Sequence, residues 1–180
     1  MDKGLDGRKQ IRSVTQMENK GRLLLAIDGG TKDSAYMVVD EENYKIVQSG
    51  KCLNSVVAQL VRDGYYDDLT IEGITSYGQP IGQETLDTVF FNGRLYQIGL
   101  FREIVATIIP RKDIKRYFEV ERGANADAFI RRTLIDRFAQ FDKIRGKGTA
   151  KNPDWFYGVT ADRWSAYALA TVWIDRKKGV

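Results

Sequence analysis

The sequence predicts an α/β domain built on a mixed sheet, three antiparallel strands followed by parallel ones, flanked by helices. Three observations carry this. Leu23-Leu24-Leu25-Ala26-Ile27 is a continuous apolar run, as expected of a strand buried on both faces. It ends in Asp28 and two glycines, which allow a tight turn into a second β-rich run, Ser34 to Asp40. Downstream, short apolar strands alternate with helical periodicities.

Strands are expected over 23–28, 34–40 and 43–49, the last two joined by an acidic-Asn turn. A short helix covers 54–62, where Val57, Leu60 and Val61 share a face. The strand Leu69-Thr70-Ile71-Glu72 runs into a glycine-containing loop, Gly73 to Gly82. A helix from about Gln83 follows, carrying Leu86, Val89, Phe90, Leu95 and Ile98. Strand 104–109 is β-branched, and Pro110 suits the first turn of a short basic helix, Arg111 to Tyr117. A periodic helix covers about 126–140. Lys143 to Asn152 is a Gly/Lys loop, and the last helix, about 161–174, has Thr160 available as N-cap. This order, with three consecutive strands at the start, is that of the ribonuclease H-like mixed sheet.

Of 180 residues, 43% are hydrophobic, which suits one globular domain over 22–180. Residues 1–21 lack apolar periodicity and read as a flexible basic extension rather than a signal peptide. No run is long enough to cross a bilayer, so no membrane role and a cytoplasmic location are expected. The single cysteine, Cys52, reads as a packed thiol in a reducing compartment. Net charge is +4 with a pI near 9.1, a mild bias toward polyanions. There is no histidine. Histidine bases, triads and ligands are therefore excluded, and any metal must be held largely by oxygen ligands, which favours magnesium or manganese over zinc.

Asp28 ends the first strand, Glu72 ends the fourth, and Asp162 opens the last helix. Each alone has a structural reading, as turn former, cap or dipole partner. Together at one sheet edge they would form an oxygen-only site, where two metals about 4 Å apart can activate water for phosphodiester hydrolysis.

The chain resembles the RuvC-type Holliday junction resolvases, and within them the RuvC-like proteins of phages. The resemblance spans roughly residues 22–175. It rests on Ala26-Ile27-Asp28-Gly29-Gly30-Thr31 and on Thr70 to Gly82, with its Ile-Glu and Ser-Tyr-Gly-Gln-Pro-Ile-Gly. Arg111 to Lys115, Asp127 to Phe138 and Tyr157 to Ala166 add to it. It implies a magnesium-dependent endonuclease, with Mn2+ as substitute, acting as a homodimer on four-way or branched DNA, in the host cytoplasm if phage-encoded. Asp28, Glu72 and Asp162 fall on the family's catalytic, metal-binding carboxylates. Lys115 falls near a basic residue that contacts the cleaved strand, and Tyr77 lies in a loop that carries an aromatic near the junction centre. The helix after Gly82 matches the dimer interface. Bacterial members carry a fourth acid three residues after the position of Asp162, where this chain has Ser165. Asp127, expected to open a helix at the same sheet edge, is the candidate replacement.

Arg111, Lys112, Lys115 and Arg116 cluster on one short helix, and Arg131 and Arg132 lie off the apolar face of the next. Both sets are expected to meet DNA phosphates. The loop bearing Lys143, Arg145, Lys147 and Lys151 is either a DNA contact or a solvated surface. Tyr77 either stacks on an unpaired base or packs in its loop. Phe90, Phe91 and Tyr96 read as core or dimer contacts, and Trp155, Trp164 and Trp173 as packing. Three alternatives compete. A non-catalytic junction-binding protein could share the fold. An actin-like nucleotide-binding domain would need a second half and a second phosphate loop. A proofreading-type exonuclease would need an acid where Gly30 stands.

Overall fold

The computed structural model of the chain describes residues 21–76, 78 and 80–180; Tyr77 and nearly all of the expected N-terminal extension lie outside them. The strands are β1 (Leu23–Asp28), β2 (Asp33–Asp40), β3 (Ile46–Leu53), β4 (Asp68–Gly73) and β5 (Val105–Pro110). They form one sheet of order β3-β2-β1-β4-β5, in which β2 is antiparallel to β1 and β3, and β1, β4 and β5 are parallel. The described helices are α1 (Asn54–Asp63), α2 (Gln83–Phe101), α3 (Arg111–Tyr117), α4 (Ala126–Phe138) and α5 (Arg163–Lys178). This is the mixed sheet the sequence predicts. None of the described helices is long and apolar enough to cross a membrane.

Alternation along β1 divides the core. Leu24 and Ala26 face a cluster with Met37 and Val39 of β2, Ile114 of α3, Leu134 of α4 and most of α5. Leu25 and Ile27 face the opposite cluster, with Val57 and Val61 of α1 and Phe91 and Leu95 of α2. Both layers are covered, which is why β1 reads as an unbroken apolar run. Trp155 stacks on Phe138, and Trp164 and Trp173 are buried, so all three tryptophans pack.

Three local readings change. The turn before β3 is longer than expected, and β3 covers 46–53 rather than 43–49. The Asp40 carboxylate accepts from the backbone N–H groups of Glu42 and Asn43, and Tyr44 takes a left-handed conformation (φ 62°), which delays the return of the chain. In α2, Leu95 is fully buried and Ile98 packs on the same core, so of the apolar residues noted along this helix only Leu86, Val89 and Phe90 face outward. At 100° per residue, Leu95 shares a stripe with Thr88, Phe91, Asn92 and Gly99. Finally, α5 starts at Arg163, with Asp162 at the cap position and Ala161 at φ 45°. Thr160 does not cap the helix; its hydroxyl accepts from Arg163.

One buried anion fastens α5. Asp175 is fully buried and accepts from Tyr44 and Tyr117 hydroxyls and from both terminal nitrogens of Arg137. Burial alone would raise its pKa, but these donors hold it below the ordinary value. The residue thereby ties the β2–β3 turn, α3 and α4 to the last helix.

Candidate active site

Sheet register sets the first part of the site. Asp28 pairs with Ala35, and Ala35 with Lys51; Ile27 pairs with Ile71, so Glu72 comes beside Asp28. Strand alternation points Asp28, Glu72 and Lys51 to the face covered by α4 and α5. The starts of those helices bring Asp127 and Asp162 over the same edge. Neither acid caps its helix through its side chain. Asn125 caps α4 by accepting from the Ala128 N–H, and the Asp162 side chain makes no capping bond.

The turn after β1 is pinned from two sides. The Ser34 hydroxyl accepts from the Gly30 N–H and donates to Asn54, whose amide donates to the Gly30 carbonyl (3.1, 2.6 and 2.9 Å). On the α2 side, Asn92 donates to the backbone carbonyl of Glu72 at 2.9 Å. A Cβ on Gly29 would lie 2.1 Å from the Asn92 side-chain oxygen, so only glycine fits beside that wedge.

The two half-buried acids, Asp28 and Glu72, feel the charge of the others. Burial, then the Glu72 charge, push the Asp28 carboxyl up to about 7, and Asp162 and Asp127 add to the effect while Arg111 opposes it. Burial also raises Glu72, against the pull of Arg111 and Lys115. Two cations hold this cluster. Arg111 bridges Glu72 (3.1 Å) and Asp127. Lys51 pairs with Asp162, and this hydrogen bond raises the lysine's own pKa. Between the starts of α4 and α5 lies a cleft of about 400 Å³ lined by Arg111, Asp127, Arg131, Asp162 and Ser165 among others.

Arg111 therefore sits inside the acidic cluster, its side chain only 21% exposed, and not on the outer basic surface expected for it. Lys112 is exposed, Lys115 is close enough to draw down Glu72, and Arg116 pairs with Asp113 at 3.5 Å. Arg131 lines the cleft above the Trp164 ring, and Arg132 pairs with Asp136. Lys51 was not anticipated; its place becomes readable only once the length of the β2–β3 turn is known. Cys52 is half-buried and its thiol is pushed up by burial, as a packed thiol should be.

The donor chemistry suits an oxygen-preferring divalent cation: the acids outnumber the cations among them, and Asp28 is left under-compensated. In the arrangement described, however, no three Asp, Glu or Cys side chains among the described residues converge on one point. Arg111 stands between Glu72 and Asp127, and Lys51 holds Asp162.

The fold is similar to that of Thermus thermophilus RuvC, both in complex with Holliday junction substrate and in a second structure. The TM-score is 0.57 for each, identity is 11% and 12%, and the match covers 88% and 87% of this chain and 96% of each RuvC chain. It is also similar to the yeast mitochondrial Holliday junction resolvase Ydc2, at TM-score 0.50 and 15% identity over 91% of this chain and 83% of that one. At such identities the likeness is one of fold: the mixed sheet with its flanking helices is the ribonuclease H-like fold of RuvC. No protein-family model and no curated protein sequence matches the chain.

Proposed function

We propose that the chain is a structure-selective endonuclease that hydrolyses a phosphodiester in four-way or branched DNA with magnesium, for which manganese can substitute. The observation that carries this reading is that Asp28, Glu72 and Asp162 lie along one edge of a sheet of this fold. Bound there, the ion would activate water and stabilise the leaving oxygen. Asp28, Glu72 and Asp162 would hold it, with Asp127 as fourth donor, once Lys51 and Arg111 release them. Asp28 must first lose its proton, and burial together with the Glu72 charge makes that costly without a cation. Freed from the acids, the Arg111 and Lys51 side chains are within reach of the phosphate that must enter the cleft. Lys112, Lys115, Arg116, Arg131 and Arg132 supply further charge to position the backbone.

The outer stripe of α2 supports a two-fold homodimer. Phe101 is 82% exposed and Phe90 73%, with Leu86, Val89 and Leu100 beside them. One observation favours binding without cleavage: Arg111 and Lys51 already pair with Glu72, Asp127 and Asp162, and Ser165 lines the cleft where a fourth acid could stand.

The test is incubation with a mobile four-way junction, a linear duplex and a flap, with and without magnesium. Magnesium-dependent, paired nicks in the junction are expected. Asp28→Asn, Glu72→Gln and Asp162→Asn should each abolish nicking and leave junction binding intact. Tight junction binding with no cleavage by the wild type would select the binding-only reading.

A further inference from the structure

Between α4 and α5 the chain runs for more than twenty residues with no helix or strand. Segments of that length are uncommon inside compact domains and are usually functional or disordered. This one is ordered around two carboxylates. Asp154 accepts from the backbone N–H groups of Gln140, Phe141, Asp142 and Trp155, at 2.7–3.0 Å. Asp142 accepts from those of Ile144, Arg145, Lys147 and Gly148, at 3.0–3.2 Å. Burial raises Asp154, yet its four donors outweigh that and bring it to about 2. Gly146 and Gly148 take left-handed conformations that let the chain fold over these anions, and fully buried Phe156 anchors the return.

The scaffold spends the loop's acids on its own backbone and leaves its cations outside. Residues 143–153 contain no acid. Lys143 is engaged, donating to the last carbonyls of α4. Arg145, Lys147 and Lys151 make no side-chain hydrogen bond or ion pair among the described residues, and Arg145 and Lys151 are exposed. A loop that only needed to be soluble would not require eight backbone donors to fix its shape; fixing it removes the entropy cost of ordering lysine and arginine supports on binding. The basic surface is also continuous with the cleft. Arg131 lines the cleft, and Arg132, its neighbour on α4, donates to the backbone of Lys143 at 2.7 Å. Arg132 lies five residues beyond Asp127, about 7.5 Å along the helix, and its side chain adds a similar reach. The loop therefore begins on the order of 15 Å from the acids, the length of four or five base pairs.

We propose that this loop is a preordered phosphate clamp for a duplex DNA arm, gripping the backbone four or five base pairs from the cut through Arg145, Lys147 and Lys151. The inference rests on the nuclease reading above and adds to it a second contact region, outside the acidic site. It predicts that the loop contributes affinity and not chemistry.

The experiment compares the wild type with an Arg145→Ala/Lys147→Ala/Lys151→Ala variant on a four-way junction with 15-base-pair arms, after the cut has been mapped. The variant should bind about tenfold more weakly near 100 mM salt, with a salt dependence of log affinity shallower by about 2–3, as expected for three lost phosphate contacts. Its cleavage rate at saturating junction should equal the wild type's. Methylphosphonates placed four to six phosphates from the cut should weaken wild-type binding and leave the variant unaffected. Unchanged affinity and salt dependence in the variant overturn the proposal while leaving the nuclease reading in place. Equal methylphosphonate losses in both proteins overturn the assigned position. A wild type that neither binds nor cuts junctions removes the nuclease reading, and this one with it.

Discussion

Asp28→Asn should make the metal-free protein more stable, although it removes a residue placed at the centre of the site. The folded protein holds the Asp28 carboxyl near 7 where the ordinary value is 3.8. Because the folded pKa is the higher one, the fold favours the protonated form. The stability contributed by that proton is fully present below about pH 3.8 and is lost as pH rises through about 7. At about 1.36 kcal/mol per pH unit between the two values, the loss saturates near 4 kcal/mol. Asn carries no charge and avoids it. Repulsion shared with Glu72 and Asp162 lets part of the strain relax into those neighbours, so a gain of about 2–4 kcal/mol is expected above pH 7, or roughly 5–15 °C in Tm. The assay is thermal unfolding followed by circular dichroism in EDTA at pH 5, 6, 7 and 8. The gap between variant and wild type should widen from pH 5 to 7 and then level off. Saturating magnesium should raise the wild type and close the gap, while barely moving the variant. A variant that melts at or below the wild type at pH 8, or a gap independent of pH, would refute the reasoning.

Further outcomes are expected. Arg137→Met should leave Asp175 buried with only its two phenol donors, costing about 3 kcal/mol and lowering Tm by roughly 6–12 °C in the same melts. Phe90→Glu/Phe101→Glu should leave the fold intact, since both side chains point outward, and turn a sedimenting dimer into a monomer. Lys51→Met should free Asp162 and tighten Mn2+ binding several-fold in equilibrium dialysis; weaker binding would mean that Lys51 helps to build the site. Arg111→Ala removes the positive charge that lowers Asp28, so the acid limb of the cleavage pH profile should move to higher pH.

The parts of this architecture legible in the sequence are those written locally. The β1 run and its terminal Asp28-Gly29-Gly30, the β4 run ending in Glu72, and the boundaries of α1 and α3 were readable because strand burial and helical periodicity leave short-range marks. The placement of Asp127 near Asp162 followed from two helices starting at one sheet edge. What could not be read depended on distance through space. Lys51 belongs to the site because a five-residue turn, held by Asp40 and a left-handed Tyr44, sets the register of β3. Arg111 looked like one more base in a basic helix; only the neighbouring strand shows that it faces Glu72. The role of Asp175 as a buried anchor, with partners 38 to 131 residues away, has no local signature at all.

Asn92 has a consequence for any partner that binds α2. Its inner side holds the Glu72 carbonyl and abuts Gly29, with no side chain between to absorb movement. Its outer side, one helix diameter of about 10 Å away, is the exposed stripe of Phe90 and Phe101. A tilt of α2 imposed from outside is therefore transmitted to the strand ends that carry Asp28 and Glu72, and the spacing of the two acids becomes a quantity that the neighbouring molecule helps to set.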